Sequence, residues 1–284
     1  MRPPPWQEEE TDDHDARTLR GRLGGPADDG TMITNELLDM VSEKARRTVI
    51  RDVRIGLGYT AVLLDSGACG LAYTFREEAE EGCSVLQQAG TVVGRSAGEV
   101  AAWANALDAV TAAVGVATLN ALIEPPPEAL EGDVRAMMRV RPEDGVGMVG
   151  YFGPLVTFLR DRAARLHIFE RRPTQNLDVH PAWAAPVLLP ECQVVIITSA
   201  SLITRELDGL LAFTGGAREV VLLGPSTPMA PRVFARRHVS LLSGVQVTDS
   251  AALLRAVSEG GGTRNFGTAV RKLTLRLSAE PPTT

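Results

Sequence analysis

Between residues 147 and 258, five short apolar runs (147–150, 166–170, 194–197, 220–223 and 239–242) alternate with stretches of helical periodicity. The helical stretches fall at 155–165, 204–213, 229–236 and 250–258. Runs such as Val194-Val-Ile-Ile197 and Val220-Val-Leu-Leu223 are apolar at every position. A strand of that kind must be buried on both faces, which an antiparallel sheet with one wet face does not provide. Strands alternating with helices therefore predict a parallel sheet covered on both sides, a Rossmann-like α/β domain. A loop holding Pro173, Pro181, Pro186 and Pro190 separates the second run from the third.

The upstream half reads differently. Ile33, Leu37, Leu38, Val41 and Ala45 recur at helical spacing. Strands are expected at 53–57, 60–64 and 70–75, the last two joined as a hairpin by the turn-rich Asp65-Ser-Gly-Ala-Cys-Gly70. Ser96-Ala-Gly-Glu99 fits a capping box, in which hydroxyl and carboxylate each satisfy an orphan amide. The Ala-rich run onward to 123 predicts two packed helices. Glu124-Pro-Pro-Pro127 cannot continue a helix and marks a boundary. Four segments are expected: a disordered acidic tail at 1–31, a small α+β domain at 32–124, the Rossmann-like domain at 125–276, and a C-terminal tail at 277–284.

Composition narrows the function classes. A net charge of −6 gives no global attraction to nucleic acid or anionic lipid. No apolar run approaches the roughly 20 residues that span a bilayer, and the start lacks a signal peptide's apolar core. A cytoplasmic protein without nucleic-acid or membrane partners is expected. Lys44 and Lys272 are the only lysines, so a lysine nucleophile has few places to be. Cys69, Cys83 and Cys192 are widely spaced and form neither a disulfide framework nor a CxxC zinc motif. There is no GxSxG elbow, and His167 lies within a strand pattern, so no hydrolase triad is read.

In open parallel sheets, ligands sit beyond the carboxyl ends of the strands. At the first such end stand Gly150, Phe152 and Gly153, the glycines letting backbone approach a ligand. Glu170 ends the second strand, twenty residues later, where an acid could accept ribose hydroxyls. Thr198 and Thr204 follow the third, and Gly224, Ser226 and Thr227 the fourth. Hydroxyls there can hold an anion or simply cap helices, and both readings stay open. Gly260-Gly-Gly-Thr263 reads as a helix C-cap. Metal ligands are to be sought among Glu170, Asp178, His180, Cys192, Cys69 and Cys83, of which no group is a metal site on spacing alone.

Val149-Gly-Tyr-Phe-Gly-Pro-Leu155, Ile168-Phe-Glu170, Leu189-Pro-Glu-Cys192 and above all Leu222-Leu-Gly-Pro-Ser-Thr-Pro-Met-Ala-Pro231 resemble the family for which heavy-metal chelation has been suggested. Gly58-Tyr-Thr60, Gly70-Leu-Ala-Tyr73 and Ala117-Thr-Leu-Asn-Ala121 are similar to its leading domain, and the likeness spans about residues 32–276. It implies an enolase N-terminal-like domain followed by a Rossmann-like domain, with a cleft between them. It further implies a metal ion of unspecified identity, with Glu170 and Asp178 as metal ligands. Asn120 would reach in from the leading domain, beside the strand-end residues. Ile203 and Gln193 depart from the family pattern, each where an oxygen-bearing side chain is often found. The leading expectation is a metal or a metal-bearing, anionic small molecule bound in that cleft. An enzyme acting on a nucleotide-like or phosphorylated small molecule, and a non-catalytic oligomeric protein, are the alternatives. A homodimer is expected on base rates alone.

Overall fold

A computed structural model describes residues 31–78, 85–172 and 179–278. The expected acidic tail, Cys83 and Asp178 lie outside the described residues, as do 279–284.

Helix α1 (Ile33–Arg46) buries Ile33, Leu37, Val41 and Ala45 on one stripe, as its spacing requires. Strands β1 (Ile50–Ile55), β2 (Tyr59–Leu64) and β3 (Cys69–Tyr73) form an antiparallel sheet in that order. Helix α2 (Ala97–Ala101) follows, with Ser96 Oγ accepting from Gly98 N at 3.2 Å. Only the hydroxyl half of the expected capping box is built, because Glu99 pairs with Arg95 instead. Helix α3 (Ala109–Leu122) begins at Asp108, whose carboxylate accepts from Thr111 N at 2.8 Å. It is apolar all round because it is buried on nearly every side. Gly70 in β3 lies so close to it that a Cβ would come within 2.0 Å of Ala117 O.

The larger sheet takes its strands in the order β4 (Leu130–Glu131), β11 (Val270–Arg276), β10 (Leu241–Val247), β9 (Glu219–Leu223), β8 (Val194–Thr198), β5 (Gly145–Val149), β6 (Arg165–Glu170), β7 (His180–Pro181). From β10 to β7 every pairing is parallel, whereas β11 runs antiparallel to both neighbours. Val195, Ile197, Val220 and Leu222 face a core shared with α1 and α3. Val194, Ile196 and Val221 face the opposite core, with Leu155, Val156 and Leu159 of α4 (Gly153–Arg160). Two-sided burial is thus the reason these strands are uniformly apolar.

Several boundaries differ from expectation. The helix expected at 204–213 is α6 (Leu207–Ala212), preceded by a 3₁₀ turn at Ser199–Leu202 and by Arg205 at φ 59°, which interrupts the helical path. Helix α4 starts earlier and stops at Arg160, since Ala164 N turns to Asp144 O to begin β6. Between β7 and β8 lies α5 (Ala185–Leu188), and α7 (Pro231–Ala235) starts on a proline, which has no amide to leave unpaired. β5 starts at Gly145, two residues earlier than expected, and β10 runs on to Val247 because β11 pairs along its whole length. Helix α8 (Ser250–Ser258) matches its expected span. It closes as anticipated with Gly260 at φ 76°, Gly260 N bonding Val257 O and Gly261 N bonding Ala256 O.

The two sheets are joined by packing and by specific bonds. Leu253, Leu254 and Val257 of α8 form a core with Ala61 of β2 and Leu71 of β3. Asp208 of α6 accepts from Ile33 N at 3.0 Å, and Arg237 bonds Glu36 at 2.6 Å. Among the described residues, no helix is long and apolar enough to cross a membrane.

Two glycine substitutions test this packing by denaturant unfolding. Gly70→Ala forces a methyl into the α3 backbone and should cost more than about 1–3 kcal/mol, the usual overpacking range. Gly209→Ala, inside α6 and facing open space, should be neutral or stabilise by roughly 0.5–1 kcal/mol.

Candidate functional site

β5 and β8 are neighbours, but β5 leads to β6 on its other side, so strand order reverses between them. Ligands of open parallel sheets bind beyond the carboxyl ends at such a reversal. There Gly150, at φ 92°, lets the chain turn against Thr198: a Cβ would stand 3.0 Å from Thr198 Cβ. Gly224, at φ 133° after β9, likewise faces Ser199, with a Cβ 2.8 Å from Ser199 Oγ. Above these ends lies a cleft of about 680 Å³, roofed by Tyr59, Tyr73 and Phe75 of the three-stranded sheet and its exit.

Gly150, Phe152, Glu170, Thr198, Thr204, Gly224 and Ser226 all line this cleft. Gly153 begins α4 just beyond Phe152. Asn120 and Thr227 line a separate cavity of about 150 Å³. Asn120 Nδ2 donates to Leu71 O at 2.9 Å and to Ser226 O at 3.1 Å, while Ser226 Oγ accepts from Tyr73 N at 2.8 Å. Asn120 therefore fastens the small sheet to the end of β9.

The hydroxyls divide by what they have already spent. Ser201 donates to Thr198 O at 2.6 Å, Thr204 to Glu206 Oε2 at 2.8 Å and Thr227 to Ser243 O at 2.9 Å. Thr198 Oγ1 caps the following turn by accepting from Ala200 N at 3.3 Å. Because Thr198 and Ser226 act as acceptors in these bonds, each keeps a hydroxyl hydrogen to donate. Ser199 Oγ is buried without any partner. Three hydroxyls at the ends of β8 and β9 thus keep a hydrogen that no described residue accepts.

Glu170 is half-buried, and burial raises its carboxyl above the ordinary range, opposed by hydrogen bonds from the amides of Tyr151 and Arg171. At the mouth, Arg171 meets Glu78 and lies 3.6 Å from Glu206, and Arg172 pairs with Glu77 at 2.9 Å. Such exposed pairs contribute roughly 0–1 kcal/mol each. The Arg171 guanidinium also lies 5.6 Å from the Phe75 ring.

Among the described residues no three His, Cys, Asp or Glu side chains are grouped to hold an ion. His180 Nε2 meets His167 Nδ1 at 3.1 Å on the sheet's edge. Cys192 lies at the opposite, amino end of β8, and burial pushes its thiol up to about 11; burial takes Cys69 to about 12. Gln193 also belongs to that far end, accepting from Gly145 N at 2.8 Å, and Ile203 is core. The two departures from the family pattern therefore leave the cleft untouched. Sequence reading missed Tyr59, Tyr73, Phe75, Tyr151, Trp183 and Ser199 as lining residues. Tyr151 and Ser199 each adjoin a named residue, and that adjacency was the available signal.

Two measurements check these roles. Asn120→Ala should lower unfolding free energy by about 1–3 kcal/mol, because it strands two carbonyls between the sheets; an unchanged value would remove its fastening role. Glu170, with a raised pKa, favours folding below its unfolded value and loses that contribution as pH rises through the folded one. Glu170→Gln should therefore gain stability relative to the parent as pH rises through and above the ordinary carboxylate range, as seen in parallel urea titrations.

Comparison with known proteins agrees with this architecture. A family model described as "Putative heavy-metal chelation" (DUF364) matches residues 133–276, and a second with the same description (DUF4213) matches 38–123. An uncharacterized protein of Methanocaldococcus jannaschii is 24% identical over 253 residues, covering 86% of this chain and 96% of its own. The crystal structure of a DUF364-family protein of unknown function from Desulfitobacterium hafniense superposes with a TM-score of 0.70 at 24% identity, covering 86% of this chain and 98% of that one. Another, from Pyrococcus horikoshii, gives 0.76 at 23% identity, covering 87% and 100%. The chain belongs to the DUF364 family, whose description is heavy-metal chelation in name and whose fold it shares.

Proposed function

We propose that the protein binds a small chelating molecule, together with its metal, in the cleft at the carboxyl ends of β5, β8 and β9. The observation that carries this reading is the pairing of a roofed cavity of about 680 Å³ with three unspent hydroxyl donors on its floor. A bare ion fits poorly among the described residues, since Glu170 stands without two further ligands. A metal arriving inside an organic chelate needs no such set, only hydrogen-bond donors for the chelator's oxygens. The metal is then cargo, and Glu170 serves an N–H or O–H group of the ligand.

A polyphosphate suits the site less well. The lining acids Glu77, Glu78, Glu170 and Glu206 outnumber the lining cations Arg76, Arg171 and Arg172. Two of those arginines are already paired with acids across the mouth.

Native mass spectrometry of untagged protein, with elemental analysis of the same sample, tests the proposal. The expected result is an adduct heavier than an ion, containing metal and lost in Glu170→Ala. Stoichiometric bare metal, or an adduct unchanged in Glu170→Ala, would overturn it.

A further inference from the structure

The chain is poor in aromatic residues, at 5%, yet they gather here. All three tyrosines line the one cleft, with four of the seven phenylalanines and one of the three tryptophans. Burial does not explain the gathering. Among the described residues, the large apolar side chains left exposed include three aromatics, Tyr73 at 38%, Tyr151 at 41% and Trp183 at 77%, and all three face this cleft. Aromatic surface left wet at a concave site has no folding rationale and marks a surface that a ligand covers. Tyr59, Tyr73 and Phe75 also form a fixed edge-to-face series, with centroids 5.8 and 4.9 Å apart, so the wall is preorganised.

A second, independent observation concerns the floor. Ser199 is 1% exposed, and its hydroxyl has no partner. Gly224 beside it carries no side chain to cover that oxygen, and a Cβ there would sit 2.8 Å away. A buried hydroxyl left unpaired costs stability, so its retention needs a reason outside the fold.

Resting on the reading of this cleft as a ligand site, we propose that the ligand is a planar aromatic or heteroaromatic ring bearing an oxygen acceptor. The ring lies against Tyr73, Tyr151 and Trp183. The oxygen, a carboxylate or ring oxo group, takes the hydroxyl hydrogen of Ser199, with Thr198 and Ser226 as flanking donors. Pyridine-2-carboxylate, a flat N,O-chelator, represents the class. No bond is made or broken in this step.

Ligand-observed NMR titration of the full chain with pyridine-2-carboxylate, benzoate and cyclohexanecarboxylate separates ring from charge. The two flat acids should bind about three- to ten-fold more tightly than the saturated one, as aromatic pairing implies. Trp183→Leu, at an exposed position that the core does not need, should remove that preference. Ser199→Ala should weaken pyridine-2-carboxylate about three- to ten-fold while keeping or raising the melting temperature, because it removes an unpaired buried group. A merely structural serine would lower the melting temperature instead. Equal binding of all three acids, or full affinity in Ser199→Ala, would overturn the inference. If no acid binds yet purified protein still carries a metal-bearing adduct lost in Glu170→Ala, the ring assignment falls and the cleft reading survives. If neither is seen, both fall.

Discussion

The Asn120 carboxamide and the Ser226 hydroxyl hold the small antiparallel sheet over the ends of the parallel strands, and the cleft exists because they do. Every bond in this fastening uses a main-chain partner: Leu71 O, Ser226 O and Tyr73 N. Main-chain partners fix position rather than rotamer, so Tyr73 is carried to the cleft roof at a set height. The aromatic wall and the hydroxyl floor face each other across a distance that this fastening sets. Packing of α8 against β2 and β3 supports the same alignment from the far side.

Those hydroxyls show why residue type alone does not define a site. Thr198, Ser201, Thr204, Ser226 and Thr227 carry the same group, yet only geometry says which oxygen donates and which accepts. Three have spent their hydrogen on a neighbour, and two have accepted one and keep theirs. Ser199, between them in sequence, has done neither. Among the described residues no three metal-ligating side chains are grouped, which is why the function we propose is to hold the molecule that coordinates an ion rather than the ion itself.

Much of the fold was legible because its cause is local in sequence. Val194–Thr198 and Glu219–Leu223 are apolar on both faces because both faces are covered. Val270–Arg276 went unread for the converse reason: Arg271 and Lys272 are exposed, so the run lacks the apolar signature. The glycines and hydroxyls at strand ends could be located by the topology rule for parallel sheets. The aromatic wall could not, since Tyr59 and Tyr73 come to line the same cleft as Tyr151 and Trp183 only through tertiary folding. The family resemblance implied that Asn120 reaches into the cleft, but its amide is spent on fastening the small sheet. Its two carbonyl partners lie 49 and 106 residues away, beyond any local pattern.

A crystal structure of the untagged protein grown with a metal complex of pyridine-2-carboxylate tests the central claim most directly. The ring is expected between Tyr73 and Trp183, its carboxylate at Ser199, and the metal bound by the chelator, with Glu170 meeting an N–H or O–H group of the bound complex such as a metal-held water. Density for a metal held by three protein side chains without an organic ligand, or a ring outside this cleft, would contradict it.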